Sequence, residues 1–369
     1  MKEGDTIKRY EKEMLQSRLD SEEDMIADLK RVYEQASRDC AARIAALSAR
    51  TDMENLQTII YQRQYQIALK KQIDAILDML QTEEFTSISD YLSKSYEDGF
   101  ISSLYSLQKQ DIPLCFPIDQ SAVVKAIQTD SKISTNLYTR LGEDIKGLKT
   151  SIRAEISRGI ANGFGYNEIA AQIAKGMNTP FKKAYNNAIR ISRTEGTRVA
   201  NQAAIDASRK AKAKGCDIVK QWSAHLDART RDSHWAIHRQ IRELDEPFSN
   251  GLMFPGDPSG RPEEVINCRC GLNQRARWAL GRDETQMLGD VSQMDEKTKK
   301  RIAEMLNIPL DELEEYSKSI VPVNAKNYED FKEKYSKIWN YKGSDLEKEA
   351  EARIAGYKAK RKNKQTPKG

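Results

Sequence analysis

The sequence predicts a mainly α-helical chain that carries one small α+β module. Three observations predict it. Apolar residues recur three and four positions apart from Met25 to Leu80. No proline occurs before Pro113, so nothing breaks the first helices outright. The texture then changes near residue 216: all three histidines (His225, His234, His238) fall within 14 residues, and glycines and prolines crowd the stretch EPFSNGLMFPGDPSGRPEE.

Residues 1–112 form the extended helical N-terminal region. Its apolar positions run Met25, Ile26, Leu29, Val32, Tyr33 and Ala36, then Leu56, Ile59, Ile60 and Tyr65, then Leu69, Ile73, Ile76, Leu77 and Leu80. Mixed charges fill the faces between them and support exposed helix through i, i+4 pairs. A stripe this narrow suits packing on another helix or a partner subunit. The segment DIPLCFPID, with Pro113 and Pro117, is an interruption and a boundary. Residues 118–215 are a helical part, with helices expected over 120–128, 136–161, 167–175 and 181–213. Asn162, Gly163 and Gly165 end one helix, and Asn167 is placed to cap the next.

Residues 216–281 are the α+β module. A strand is expected at 218–226, a helix at 230–241, a turn-rich hairpin, a short helix or turn near 261–267 and a strand at 269–278. Aromatic side chains should supply most of its core, since Trp222, Trp235 and Trp278 all fall here. Residues 282–357 return to charged helices (295–306, 310–319, 327–339), and 358–369 are a basic tail.

Composition excludes several classes. Charged residues make up 31% of the chain, above the ~25% usual for globular domains, and no stretch approaches the ~18 apolar residues of a membrane span. The start, MKEGDTIKRYEKEM, lacks the apolar core of a secretory signal. Five scattered cysteines do not make a disulfide framework in a chain of 369 residues, and a reducing cytosol is the expected compartment. There is neither a phosphate-binding G-x-x-x-x-G-K-[ST] loop nor a G-x-S-x-G nucleophile elbow.

Charge is concentrated in two places. From Arg190 to Arg231 there are ten basic residues against four acids, with Arg209, Lys210, Lys212 and Lys214 closing the most basic helix. The tail carries Lys358, Lys360, Arg361, Lys362, Lys364 and Lys368 and no acid. Both segments can neutralise phosphate without reading sequence; both also fit a plain solvated face and a solubilising tail.

One cluster carries candidate chemistry: Asp227, Arg229, Thr230, Arg231, His234 and His238, followed by Asn267, Cys268, Arg269 and Cys270. On a helix over 230–241, His234 and His238 share a face; on a strand, Cys268 and Cys270 do. Two thiolates and an imidazole, with His238 or Asp227 as the fourth group, make a structural zinc site. The alternative is a hydrogen-bonded core histidine beside two small buried cysteines. Between the two histidines stand Trp235, Ala236 and Ile237, so the glutamate of a zinc protease is missing. Asp227 also suits a guanidinium fork from Arg229 or Arg231 that ties a strand end to the next helix. Arg193, Glu195, Arg198 and Asn201 offer similar pairing from the preceding helix, or an ordinary surface charge pair.

Taken in order, RTEGTRVAN at 193–201, Trp222, DARTRDSH at 227–234, PGDP at 255–258 and NCRC at 267–270 resemble the phage Mu protein F-like family of head morphogenesis, or minor head, proteins. The likeness spans about residues 136–280 and includes GFGYNEIA at 163–170. It departs after the histidine, where family members often place a glycine and this chain reads HRQIRELDEP. Carried onto this sequence, the family's signature is Arg193, Glu195, Arg198, Asn201, Trp222, Asp227, Arg229, Arg231, His234, Asn267, Cys268 and Cys270, as residues of the fold with no catalytic role. The resemblance implies a non-enzymatic protein of the virion head and procapsid, made in the host cytoplasm. It implies association with the portal and with the major capsid or scaffolding protein, and contact with double-stranded DNA during packaging or ejection. A metal-dependent nuclease and a phage-delivered toxin built on the same module are the alternatives.

Overall fold

The computed structural model describes residues 9–46, 59–110, 114–128, 137–162, 164–174, 180–277 and 325–339, with single positions at 112, 280, 300 and 323. They are mainly helical with one small antiparallel sheet. Helices α1 (Arg9–Ala45), α2 (Ile59–Gln108), α3 (Gln120–Gln128), α4 (Leu137–Ala161), α5 (Tyr166–Ala174) and α6 (Pro180–Ala213) lead into the module. The last four lie within a residue of the expected bounds. The module contains β1 (Ile218–Ser223), α7 (Asp232–Ala236), β2 (Ile241–Arg242), α8 (Pro262–Val265) and β3 (Gly271–Ala276), and α9 (Tyr328–Ile338) follows. The expected helices at 295–306 and 310–319 and the tail basic residues Lys360, Arg361, Lys362 and Lys364 lie outside the described residues.

Two compact units are assembled from non-contiguous segments. One draws on Met1–Glu22, Tyr91–Ile133 and Arg193–Leu346, the other on Glu23–Asp90, Ser134–Ser192 and Glu347–Gly369. In the second, Leu29, Tyr33, Leu77, Leu141, Ile145 and Ile152 are buried helix positions. Arg153 donates to Asp74 at 2.5 Å and Lys149 to Asp78 at 2.7 Å. Glu84 is fully buried there; its Oε1 accepts the Tyr33 hydroxyl at 2.9 Å, while its Oε2 has no hydrogen-bond partner. Burial pushes its carboxyl up to about 8.

The first unit holds the module. Its sheet runs β2-β1-β3, with Ile218 opposite Ala276, Lys220 opposite Gln274 and Trp222 opposite Leu272. Side chains alternate along a strand, and all six of these positions are buried. Trp222 is the centre of the core, its ring edge-on to Phe248 and to His234, with Ala204 and Ile205 of α6 in the same cluster. Trp235 is largely exposed, so the module's core is less aromatic than composition suggested. Lys220 is buried because its ammonium donates to the carbonyls of Leu244 (3.0 Å) and Met253 (2.9 Å) and lies over the Phe248 ring.

The side of β3 away from β1 is also bonded. Gln110, just past the end of α2, donates to the Gln274 carbonyl at 2.9 Å and accepts from the Ala276 N–H at 2.9 Å.

Two expectations are corrected. The helix expected over 230–241 is only the five residues of α7. Arg239 adopts φ +65°, and its N–H donates to the Trp222 carbonyl, so the chain turns back to pair with β1 as β2. The strand expected at 269–278 begins at Gly271, so Cys268 and Cys270 precede it.

Candidate functional site

The signature residues meet where α6 passes the NCRC segment. Eight of the nine positions of RTEGTRVAN have an identified contact, and the ninth, Val199, is fully buried. Arg193 donates to Glu22 at 2.6 Å. The Thr194 hydroxyl accepts the N–H of Asn267, which sits in the left-handed region at φ +54°. Glu195 and Arg198 form a buried pair at 2.7 Å, and Arg198 also donates to the Ala126 carbonyl at 2.8 Å. At Gly196 a Cβ would fall 2.5 Å from the Tyr91 ring, and Ala200 lies against Gly99 of α2, where a Cβ would be 2.1 Å from the Ala200 carbonyl oxygen. The Thr197 hydroxyl donates to the Cys268 carbonyl at 2.7 Å.

Asn201 closes the motif. Its amide donates to the carbonyls of Pro255 (2.9 Å), Cys270 (3.1 Å) and Thr197 (2.9 Å), and its oxygen accepts the Leu272 N–H at 2.8 Å. The PGDP turn is set against the same helix. Gly256 has φ +81° and a Cβ there would lie 3.1 Å from the Arg198 backbone, while Asp257 accepts from the N–H groups of Met253 and Ser259. From α1, Arg18 donates to the carbonyls of Arg269 (3.1 Å) and Cys270 (3.4 Å). The backbone from 267 to 270 is thereby fixed from two helices.

Asp227 does not receive its fork from Arg229 or Arg231. Arg269 supplies it, at 2.6 and 2.7 Å, and the Arg229 N–H and Thr230 hydroxyl add to it. The Arg269 guanidinium holds the Asp227 carboxyl well below the usual carboxylate range. The Arg229 side chain is exposed, and Arg231 donates to the Ile266 carbonyl. An acid followed closely by two arginines signals local pairing, but the partner stands 42 residues away.

Behind this fork, His234, Cys268 and Cys270 are 1–3% exposed. Nδ1 of His234 lies 3.4 Å from the Cys270 sulfur and 3.7 Å from that of Cys268. Nε2 lies 2.9 Å from a Glu264 carboxylate oxygen. A carboxylate only accepts, so Nε2 carries the proton and donates. Hydrogen bonding between the thiols pushes Cys268 up and Cys270 down, the latter against its burial and with help from the His234 ring. Among the described residues these three form the group able to hold a metal ion. The expected fourth groups lie elsewhere: the Nδ1 of His238 accepts the Ala224 N–H at 3.1 Å, and Asp227 is engaged by Arg269. His238 is displaced because α7 stops short of it. A cavity of about 220 Å³ beside the cluster is lined by Arg18, Asn201, His225 and Arg269, among others.

Sequence reasoning missed Arg18, Thr194, Thr197 and Glu264. The first three act on backbone groups, which leave no mark in a sequence; Glu264 lay in a segment read only as a short helix. Arg209 and Lys212 of α6 and Lys214 just past its end are exposed, whereas Lys210 lies over the Phe100 ring and donates to the Pro117 carbonyl.

Residues 150–273 match the family model described as Phage Mu protein F like protein. This span takes in all the signature positions and ends inside β3. The chain is 30% identical to Minor head protein GP7 of Bacillus phage SPP1 over 212 residues, 55% of this chain and 67% of that protein. It is 26% identical to NAD(+)--arginine ADP-ribosyltransferase EFV of Enterococcus faecalis over 268 residues, 72% of this chain; it spans only about half (54%) of that protein. No solved structure matches.

Proposed function

The chain belongs to the phage Mu protein F like family, and from that premise we propose that it is a non-enzymatic minor head protein that joins the procapsid at the portal and serves DNA packaging or ejection. The observation that carries this reading is the likeness to an SPP1 protein named as a minor head protein. The geometry is in keeping with it. The side chains of Arg193, Glu195, Arg198, Asn201 and Asp227 are spent on holding α6, the PGDP turn and the NCRC segment together. A two-histidine nuclease site needs His238 beside His234, and His238 is bonded to Ala224 instead.

The partners proposed are the portal, the major capsid or scaffolding protein, and double-stranded DNA. Arg209, Lys212 and Lys214 at the end of α6 are the exposed cations for the DNA backbone. Among the described residues no helix is long and apolar enough to cross a membrane, and the proposed location is the virion head and procapsid. One observation favours a second reading, delivery of a toxic activity: the Enterococcus relative is named as an ADP-ribosyltransferase.

Quantitative mass spectrometry of procapsids and mature heads from an induced lysate tests the first reading, with copy number referenced to the portal. A low, fixed number of copies in the particles supports it. Absence from both particles overturns it. Transfer of label from NAD to an arginine-rich acceptor by the purified chain would put the second reading first.

A further inference from the structure

We propose that His234, Cys268 and Cys270 bind a zinc ion through Nδ1 and the two sulfurs, with a solvent molecule in the fourth position. The site goes beyond the head role and is independent of it. Spacing is the first argument. With tetrahedral angles, zinc–sulfur bonds of ~2.3 Å and zinc–nitrogen bonds of ~2.0 Å put sulfur and nitrogen ligands about 3.5 Å apart. The observed separations are 3.4 and 3.7 Å, and all three ligand atoms lie within 4.8 Å of one another.

The second argument is orientation. Glu264 takes the Nε2 proton, so the lone pair of a neutral imidazole lies on Nδ1, the atom facing the thiols. Ser233 donates to the same carboxylate at 3.1 Å and steadies it. A carboxylate behind a ligating histidine is the usual outer partner of a zinc site. The third argument is rigidity. C-x-C is a short spacing for zinc, but the fold brings both sulfurs to the same ring nitrogen of His234. Here the carbonyls of 268, 269 and 270 are pinned by Thr197, Arg18 and Asn201, while the Arg269 side chain between them is drawn off to Asp227. Two thiols and an imidazole brought together in this way favour a soft or borderline cation over magnesium or calcium.

The test uses the full chain, purified without chelator from zinc-supplemented cells. Elemental analysis should find about one zinc per chain, and cobalt substitution should give sulfur-to-cobalt charge-transfer absorption. His234→Ala and Cys270→Ser should abolish both. Glu264→Gln, which spares the ligands, should keep a native circular dichroism spectrum yet bind zinc about 10–100-fold more weakly in competition with a chromophoric chelator. Less than a tenth of an equivalent of zinc in natively folded wild-type protein overturns the proposal. So does zinc content unchanged by Cys270→Ser. A titration in denaturant showing fewer free thiols than the five cysteines, with Cys268 joined to Cys270, overturns it as well.

Discussion

Asn201→Ala is the sharpest test of how the module is held. The side chain is 3% exposed and makes four hydrogen bonds to backbone. Two of these groups keep other partners: the Thr197 carbonyl retains the helix's own bond, and the Cys270 carbonyl retains Arg18. The Leu272 N–H and the Pro255 carbonyl lose theirs. A buried polar group left unsatisfied costs about 1–3 kcal/mol, so the substitution should cost about 4 kcal/mol, a large share of the ~5–15 kcal/mol of a typical domain. Urea unfolding followed by tryptophan fluorescence, to which the fully buried Trp222 of the same core contributes, measures it. Asn201→Asp is the companion variant. It keeps the acceptor for Leu272 but turns an oxygen toward the two loop carbonyls, so it should destabilise at least as much although the shape is conserved. An Asn201→Ala protein within about 1 kcal/mol of wild type would refute the argument that this one amide joins the three segments.

Gly256→Ala should cost about 1–3 kcal/mol in the same assay, because φ is +81° and the new Cβ would crowd the Arg198 backbone. Glu84→Gln should change the pH profile of thermal stability. The folded carboxyl titrates at about 8 against an ordinary 4.5, so its contribution is complete below pH 4.5 and is lost as pH rises through 8. The variant should therefore match wild type at pH 4 and melt higher at pH 9; equal melting temperatures at both would refute it. If the end of α6 contacts DNA, changing Arg209, Lys212 and Lys214 to serine should lower the slope of log affinity against log salt by up to about three, equally for unrelated sequences, in a fluorescence anisotropy titration.

Helices α3 to α6 were legible because their signals are local: apolar spacing, Asn162 and Gly165 at one junction, Lys214 and Gly215 at the end of α6. The sheet was legible in place but not in extent. Nothing local distinguishes 237–241 from continued helix; the outcome is decided by Trp222, whose N–H and C=O take the Gln240 carbonyl and the Arg239 N–H. His238 was misplaced as a direct consequence. The cluster of His234 with Cys268 and Cys270 was visible in the sequence because those residue types are few. The Asp227–Arg269 fork was not, since every nearby arginine offered an equally good pairing. The clamps from Thr194, Thr197 and Arg18 carry no compositional signal, because their partners are peptide groups.

The glutamine after α2 has a consequence for how this chain meets its neighbours. An edge strand normally offers a row of free donors and acceptors, an invitation to strand addition and to self-aggregation. On β3 that row is partly occupied: Gln110 takes the Gln274 carbonyl and the Ala276 N–H, and Asn201 takes the Leu272 N–H. At the opposite edge β2 is two residues long, too short to template another strand. Strand addition is thus obstructed at β3 by side chains and at β2 by the shortness of the strand. An obstructed edge turns contact with neighbours away from the backbone and toward side chains on helices and loops, where shape and charge restrict the fit.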